Sequence, residues 1–128
     1  MHIETLHVRH YKAFKNICLK KMPHFAVFVG ANGSGKTTFF DLFGFLKDCL
    51  TGNVKTALQK RGGFREVVTR ECEGETIYVE IQFRMLIAQV ERLVTYRLEI
   101  ENQGKRPVVK HELLRYKRGR YGSPYHLS

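Results

Sequence analysis

The fold class of this chain is decided by one stretch, Val27-Phe28-Val29-Gly30-Ala31-Asn32-Gly33-Ser34-Gly35-Lys36-Thr37-Thr38. It matches the spacing Gly-x-x-x-x-Gly-Lys-Ser/Thr, in which Gly30 and Gly35 bracket the loop and Lys36 and Thr37 complete it. Glycines allow backbone N–H groups to turn toward anionic oxygens, and a helix that follows adds unpaired N–H groups and its positive dipole end. The spacing therefore predicts a Walker A phosphate-binding loop.

Each residue type in this loop has a chemical reason. The Lys36 side chain supplies a mobile positive charge for the β- and γ-phosphates, and the Thr37 hydroxyl supplies a ligand for Mg²⁺. The predicted phosphate-binding residues are Gly30, Ala31, Asn32, Gly33, Ser34, Gly35, Lys36, Thr37 and Thr38, with Thr37 also the predicted metal ligand. The alternative is that the glycines only form a tight turn between a strand and a helix.

The flanks of the loop predict the elements that it needs. The apolar run 25–29 predicts a strand that is buried on both faces. After the loop, apolar residues recur at helical spacing, and Gly52 stands where that helix would end. The apolar positions in question are Phe39, Leu42, Phe43, Leu46 and Leu50.

Composition restricts the class of protein. With 128 residues and 43% hydrophobic content, the chain is predicted to form one globular domain at most. Its three cysteines are widely spaced and show no Cys-x-x-Cys pairing, so a disulfide framework or a zinc site is not expected. No apolar run reaches membrane-spanning length and no signal peptide stands out, so we expect a cytoplasmic protein without membrane contact.

The net charge of +10 and the isoelectric point near 9.8 indicate a polyanionic partner. Basic residues are concentrated near the C-terminus, where Tyr116 and Tyr121 lie among them. Basic residues that alternate with aromatic ones can follow a nucleic-acid backbone, but they also occur as ordinary charged surface. The basic residues of this segment are Lys105, Arg106, Lys110, Arg115, Lys117, Arg118 and Arg120.

The remaining chain divides into three parts. Residues 1–52 are predicted to hold a hairpin, with strands at 3–8 and around Ile17 and Leu19, followed by the phosphate-loop strand and the first helix. Residues 53–74 are predicted to form a polar connection with a helical piece at 54–58. Residues 75–128 alternate apolar and polar side chains and predict an antiparallel meander, with strands at 76–85, 94–100 and 108–116.

The element Tyr11-Lys12-Ala13-Phe14, followed by an apolar strand and Gly-x-Asn-Gly-Ser-Gly-Lys-Thr-Thr, resembles the N-terminal lobe of RecF/SMC-class ABC-type ATPases. It is most similar to AAA-family ATPases of the OLD-like and phage-defence type. The resemblance implies an α/β P-loop NTPase fold with an antiparallel β-subdomain, in an incomplete nucleotide-binding domain. It also implies ATP and Mg²⁺ as cofactors, and an intact protein that hydrolyses ATP, forms an ATP-dependent homodimer and acts on DNA in repair or phage defence.

Within that resemblance, Lys12 would reach the nucleotide phosphates; the alternative is a solvent-facing lysine beside two core aromatic residues. The triplet Arg61-Gly62-Gly63 resembles one that follows the first helix in some of these ATPases, either as a nucleotide- or DNA-facing loop or as a mobile surface excursion.

The sequence departs from a working ATPase of this class. No apolar strand ends in an acidic pair, and no signature loop is visible; Glu99 and Glu101 lie on the polar side of an alternating strand. Gln82 and Gln89 are candidates for a metal-sensing glutamine without a matching motif. No catalytic residue is assigned, and we expect this chain to be an N-terminal lobe that does not turn over alone and tends to associate. The alternative function is a basic, β-rich nucleic-acid-binding or interaction module that retains a relic loop.

Overall fold

Antiparallel strand pairing joins the two ends of the chain into one sheet of six strands, in the order β2-β1-β3-β4-β5-β6. The computed structural model describes residues 2–20, 33–104, 106–117 and 124–127. The strands are β1 (His2–Tyr11), β2 (Phe14–Lys20), β3 (Ile77–Ile87), β4 (Val90–Gln103), β5 (Arg106–Lys117) and β6 (Pro124–Leu127). The helices are α1 (Gly33–Thr51), α2 (Val54–Lys60) and α3 (Phe64–Val67).

Part of the sequence-based prediction lies outside the described residues. This holds for the strand predicted at 25–29, for the side chains of Ser34 and Lys117, and for a set of loop and C-terminal residues. That set consists of Gly30, Ala31, Asn32, Lys105, Arg118, Arg120 and Tyr121.

The N-terminal hairpin and the meander form a continuous sheet because β1 pairs with β2 on one side and with β3 on the other. On β3, the side chains of Ile77, Val79 and Ile81 are buried, as the alternation predicts. The prediction fails further along the strand, since Met85 is 40% exposed near the β3–β4 turn. Burial on β4 is not confined to one face either, since Thr95 is 3% exposed although it points to the face opposite Val94 and Tyr96.

Helix α1 packs on the sheet through a stripe that differs from the predicted one. Leu42, Phe45, Leu46 and Cys49 are buried at the spacing i, i+3, i+4, i+7, whereas Leu50 is 47% exposed. The predicted stripe included Leu50 and omitted Phe45 and Cys49, so it was rotated from the true one. The reason is that α1 contains apolar residues on several sides, and periodicity alone does not choose among them.

The segment 53–74, predicted to be a polar connection, contributes several buried apolar side chains to the core. Asn53 caps α2, because its side-chain Oδ1 accepts a hydrogen bond of 2.8 Å from the Thr56 N–H. The predicted helical piece is present as α2, and α3 follows it. Six apolar side chains of this segment belong to the core: Val54, Ala57, Leu58, Phe64, Val67 and Val68. The connection therefore covers the sheet beside α1.

Among the described residues, no helix combines the length and the apolar character that crossing a membrane would require.

Candidate functional site

The candidate site begins at the N-terminus of α1, where the second half of the glycine loop forms the first helical turns. The first turn of α1, which starts at Gly33, contains no acidic residue. The side chains of Lys36 and Thr37 are exposed, whereas Thr38 is buried at 6% exposure. The first N–H groups of a helix have no partner within the helix and carry the positive end of its dipole. An accessible lysine and hydroxyl at such an end fit a phosphate anion and the divalent cation that accompanies it.

One helical turn further along, Asp41 receives the tip of the N-terminal hairpin. The Tyr11 hydroxyl donates a hydrogen bond of 2.5 Å to Asp41 Oδ2, and the Lys12 Nζ lies 3.1 Å from the same oxygen. Burial, together with this hydrogen bond, raises the pKa of the Tyr11 phenol. The hairpin tip is therefore tied to the helix that carries Lys36 and Thr37.

The environment of Lys12 agrees in part with the alternative of a solvent-facing lysine beside two core aromatic residues. Its neighbours Tyr11 and Phe14 are core aromatics, and its own side chain is 33% exposed. It does not simply face solvent, however, because it forms an ion pair with Asp41 on α1. The ion pair thereby holds the Lys12 side chain against α1, the helix that begins with the predicted phosphate-binding residues.

The backbone at the hairpin tip is held in an unusual conformation. His10 and Lys12 have positive φ angles of 61° and 45°, in the left-handed region that non-glycine residues rarely adopt. The Lys12 N–H donates to the Val67 carbonyl at 2.7 Å, and the Thr69 N–H donates to the His10 carbonyl at 3.0 Å. These two bonds, to the last residue of α3 and to Thr69 just beyond it, fix the direction in which Lys12 leaves the hairpin.

Arg61, at the C-terminal end of α2, also contacts α1. Its Nη1 donates to Asp48 Oδ2 at 2.9 Å and to the Ala57 carbonyl at 3.1 Å, and its guanidinium lies 5.5 Å from the centroid of the Phe45 ring. Its Nε lies 3.7 Å from Asp41 Oδ1, and the side chain is 15% exposed. Arg61 is thus a packed residue that contacts two turns of α1, whereas Gly62 in the same triplet is exposed.

The charges around Arg61 shift the pKa values of both partners. The hydrogen bond from Arg61 lowers the pKa of Asp48. Burial opposes ionisation of Arg61, yet the hydrogen bond to Asp48 and the nearby Tyr11 and Asp41 raise the pKa of the guanidinium overall. Both groups therefore remain charged at neutral pH.

We call Tyr11, Lys12, Asp41, Asp48 and Arg61 the Asp41 cluster. The sequence reasoning overlooked both carboxylates of this cluster. A signal was present: Asp41 and Asp48 are the acidic residues of α1 and stand seven residues apart, so they lie on the same side of the helix. Cations then occur both before and after the helix. The pairing itself required the folded structure.

The other polar candidates lie on the sheet. Gln82 accepts a hydrogen bond from the Thr5 hydroxyl at 3.2 Å and donates to the Thr95 hydroxyl oxygen at 3.3 Å, so it joins three strands. Gln89 lies in the tight turn between β3 and β4. Glu99 is opposite Tyr78 and His111, and Glu101 accepts a hydrogen bond of 2.7 Å from Gln103.

The C-terminal basic residues do not form one compact group. Arg106 begins β5 and Arg115 lies near its other end, so that roughly 30 Å of strand separate them. Lys110 is exposed between them, while Arg115 and Tyr116 are partly buried. The described part of this segment therefore places its charges along a strand, and Arg106 lies closer to the end of the sheet where α2 and α3 pack.

Comparisons with known proteins give a consistent family relation. Residues 25–124 match the protein family described as "AAA domain, putative AbiEii toxin, Type IV TA system". The chain is also similar to the DNA replication and repair protein RecF of Idiomarina loihiensis, with 31% identity over 85 residues, 64% of this chain and 21% of that protein. The chain thus spans about a fifth of the length of this relative. No solved structure matches. These matches confirm the relation to RecF-related ATPases that the sequence predicted.

Proposed function

This chain belongs to the AAA-domain family whose model matches residues 25–124, and we propose that it binds ATP through its Walker A loop as the N-terminal part of a RecF/SMC-like ATPase. Use of ATP and Mg²⁺ follows in general terms from membership of an AAA ATPase family. The finer assignment concerns the residues of this chain. In it, the loop from Gly30 to Thr38 holds the phosphates, and Thr37 provides a ligand for Mg²⁺.

The observation that carries the proposal is the exposure of Lys36 and Thr37 near the start of α1, whose first turn contains no acidic residue that would repel a phosphate. The helix end favours an anion electrostatically, and the lysine adds a full charge within reach of it. Lys12 assists from the hairpin tip, because its ion pair with Asp41 already holds it on α1.

For the intact protein we propose ATP hydrolysis, ATP-dependent homodimerisation and action on DNA, in repair or in phage defence. The matched relative is named a DNA replication and repair protein, and the net charge of +10 suits a polyanionic partner. Hydrolysis is attributed to the whole protein, because no catalytic residue is assigned in this chain and the acidic candidates Glu99 and Glu101 lie on β4. Dimerisation is likewise attributed to the whole protein.

A second function fits the size of the sheet. Six antiparallel strands and an excess of basic residues suit a nucleic-acid-binding or interaction module in which the loop is a relic. The two functions differ in one respect that can be measured directly, which is Mg-ATP binding that depends on Lys36.

Isothermal titration calorimetry of Mg-ATP into the purified chain tests the proposal. The variant Lys36→Ala should lose saturable binding, whereas Lys47→Ala, which removes an exposed lysine further along the same helix, should retain it. Thr37→Ala should weaken Mg-ATP binding and have a smaller effect when EDTA is present. Absence of binding in a folded wild-type sample, or equal binding by Lys36→Ala, would favour the relic-loop alternative.

A further inference from the structure

A groove of about 1010 Å³ lies between the two short helices and the β4–β5 turn. Three stretches of the chain line it: residues 55–65, which run from α2 through the following turn into α3, residues 73–74, and residues 102–107 at the β4–β5 turn. The β4–β5 turn is far in sequence from the other two stretches, so the groove exists only in the folded protein. We call it the basic groove.

The groove carries an excess of positive charge. Lys55, Arg65 and Arg106 line it and are exposed, and none of the three forms a salt bridge with another described residue. Among the described lining residues, Glu73 is the carboxylate, and its Oε1 accepts a hydrogen bond of 3.3 Å from the Glu71 N–H. The groove is thus lined by three basic side chains and one acidic side chain, and the acidic side chain already accepts a hydrogen bond within its own turn.

The walls of the groove allow a bulky ligand to come close to the backbone. Gly63 and Gly104 line it with positive φ angles of 99° and 68°, and no atom lies within 4 Å of the position that a Cβ would occupy at either residue. Glycine is suited to both positions because other residues would be strained there. Side chains are therefore absent from two points on the rim.

The basic groove is separate from the candidate nucleotide site. Helix α1 rises about 22 Å between Lys36 and Thr51. Lys55 follows four residues after the end of that helix, so it lies near the end of α1 that is opposite the predicted phosphate loop. A nucleotide held at Lys36 would leave this groove open.

We infer that the basic groove binds the sugar–phosphate backbone of a nucleic-acid strand, an inference that rests on the proposed action on DNA and specifies where the chain makes contact. Three cations on separate walls suit several successive phosphates better than one compact anion. Arginine can bind phosphate oxygens with two N–H groups, while lysine acts as a point charge. Exposed cations of this kind give affinity that falls steeply with salt and depends little on sequence.

Fluorescence anisotropy tests this inference with a labelled single strand of about 20 nucleotides and with a duplex of the same length, both without ATP. The groove variant combines Lys55→Gln, Arg65→Gln and Arg106→Gln. The matched control combines Lys15→Gln, Lys20→Gln and Lys47→Gln, which are exposed and lie on β2 and α1. Each variant removes three positive charges from the net charge of +10, so a general charge effect should be equal in both.

The groove variant should bind at least about tenfold more weakly than wild type, and the slope of log K against log salt should fall by about 2 for a single strand and about 3 for a duplex. The control should change both quantities much less. The relative loss in the two arms shows whether the groove prefers a single strand or a duplex. Equal losses in the groove variant and the control would overturn the inference, as would absence of oligonucleotide binding by folded wild type.

A gain of affinity provides an independent check. Glu73→Gln removes the carboxylate of the groove and should tighten binding about two- to threefold, whereas Glu71→Gln, an exposed neighbour that does not line the groove, should not. No gain in Glu73→Gln would contradict the inference. Mg-ATP calorimetry on the groove variant separates this result from the proposed function, since nucleotide binding should persist even if the groove assignment fails.

Discussion

The Tyr11 hydroxyl donates a hydrogen bond of 2.5 Å to the carboxylate of Asp41, across 30 residues of sequence. This bond joins the tip of the N-terminal hairpin to the third turn of α1, the helix that follows the predicted phosphate loop. Lys12 and Arg61 approach the same carboxylate from the hairpin and from the end of α2. Asp41 thus connects three segments that are separate in sequence: the hairpin tip, α1 and the end of α2.

The bond between Tyr11 and Asp41 should contribute measurably to stability. In a double-mutant cycle with Tyr11→Phe and Asp41→Asn, we expect a coupling of about 1–2 kcal/mol in the free energy of unfolding, because the bond joins a buried hydroxyl to a charged acceptor. Urea unfolding measures it. Glu91→Gln serves as the control, since its side chain is 64% exposed and should change stability little. Additive single-variant effects would show that the two groups do not interact.

Lys12 should affect nucleotide binding more than stability. Lys12→Gln should weaken Mg-ATP binding about tenfold, since a charge near the phosphates contributes on the order of 1–2 kcal/mol. Its partly exposed ion pair with Asp41 should contribute at most about 1 kcal/mol to folding. Calorimetry and urea unfolding measure the two quantities, with exposed Lys15→Gln as the control. Unchanged Mg-ATP affinity in folded Lys12→Gln would leave Lys12 with a structural role.

Gly44 is kept small by the Arg61 guanidinium. A Cβ added at Gly44 would lie 3.2 Å from Arg61 Nη2, so the guanidinium would have to shift. In the Arg61→Ala background, Gly44→Ala should stabilise the protein by about 1 kcal/mol, the usual gain from glycine to alanine within a helix. In wild type the gain should be smaller. Urea unfolding of the four variants of this cycle measures the difference, and an equal gain in both backgrounds would mean that the guanidinium adapts without cost.

Cys49 should make stability fall at alkaline pH. Burial, with a smaller effect of the Glu112 charge, raises the pKa of the Cys49 thiol from 9.0 to about 12. The contribution to stability is therefore complete below pH 9.0 and is lost as pH rises toward 12, because the unfolded thiol ionises first. Relative to Cys49→Ala, wild type should lose about 1–2 kcal/mol of unfolding free energy between about pH 8.5 and 10.5.

Cys18 supplies the control for this prediction, because it is an exposed free cysteine. The stability difference between wild type and Cys18→Ala should stay constant over the same pH interval. A thiol reagent should label Cys18 in the folded protein and Cys49 only on unfolding. Rapid labelling of Cys49 in the native state would contradict its burial.

Local patterns in the sequence predicted much of the sheet. The alternation of apolar and polar residues predicted β3 and β4. The N-terminal hairpin, formed by β1 and β2, was also predicted, with strands at 3–8 and around Ile17 and Leu19. The prediction missed the pairing of β1 with β3, because residues 2–9 and 78–84 meet only through the tertiary fold. It also assigned Leu50 to the core face of α1, where Cys49 and Phe45 are buried instead. A helix with apolar residues on several sides receives its core face from what packs against it.

The sequence by itself identified the family and predicted the phosphate loop, because such a loop is contiguous and its spacing reflects local backbone geometry. Tertiary structure alone decided that Asp41 would gather Tyr11, Lys12 and Arg61, and that Lys55, Arg65 and Arg106 would line one groove. These contacts join residues that no local period relates. They depend on how the hairpin, the helices and the meander pack, which is set by burial of the shared core rather than by any single segment.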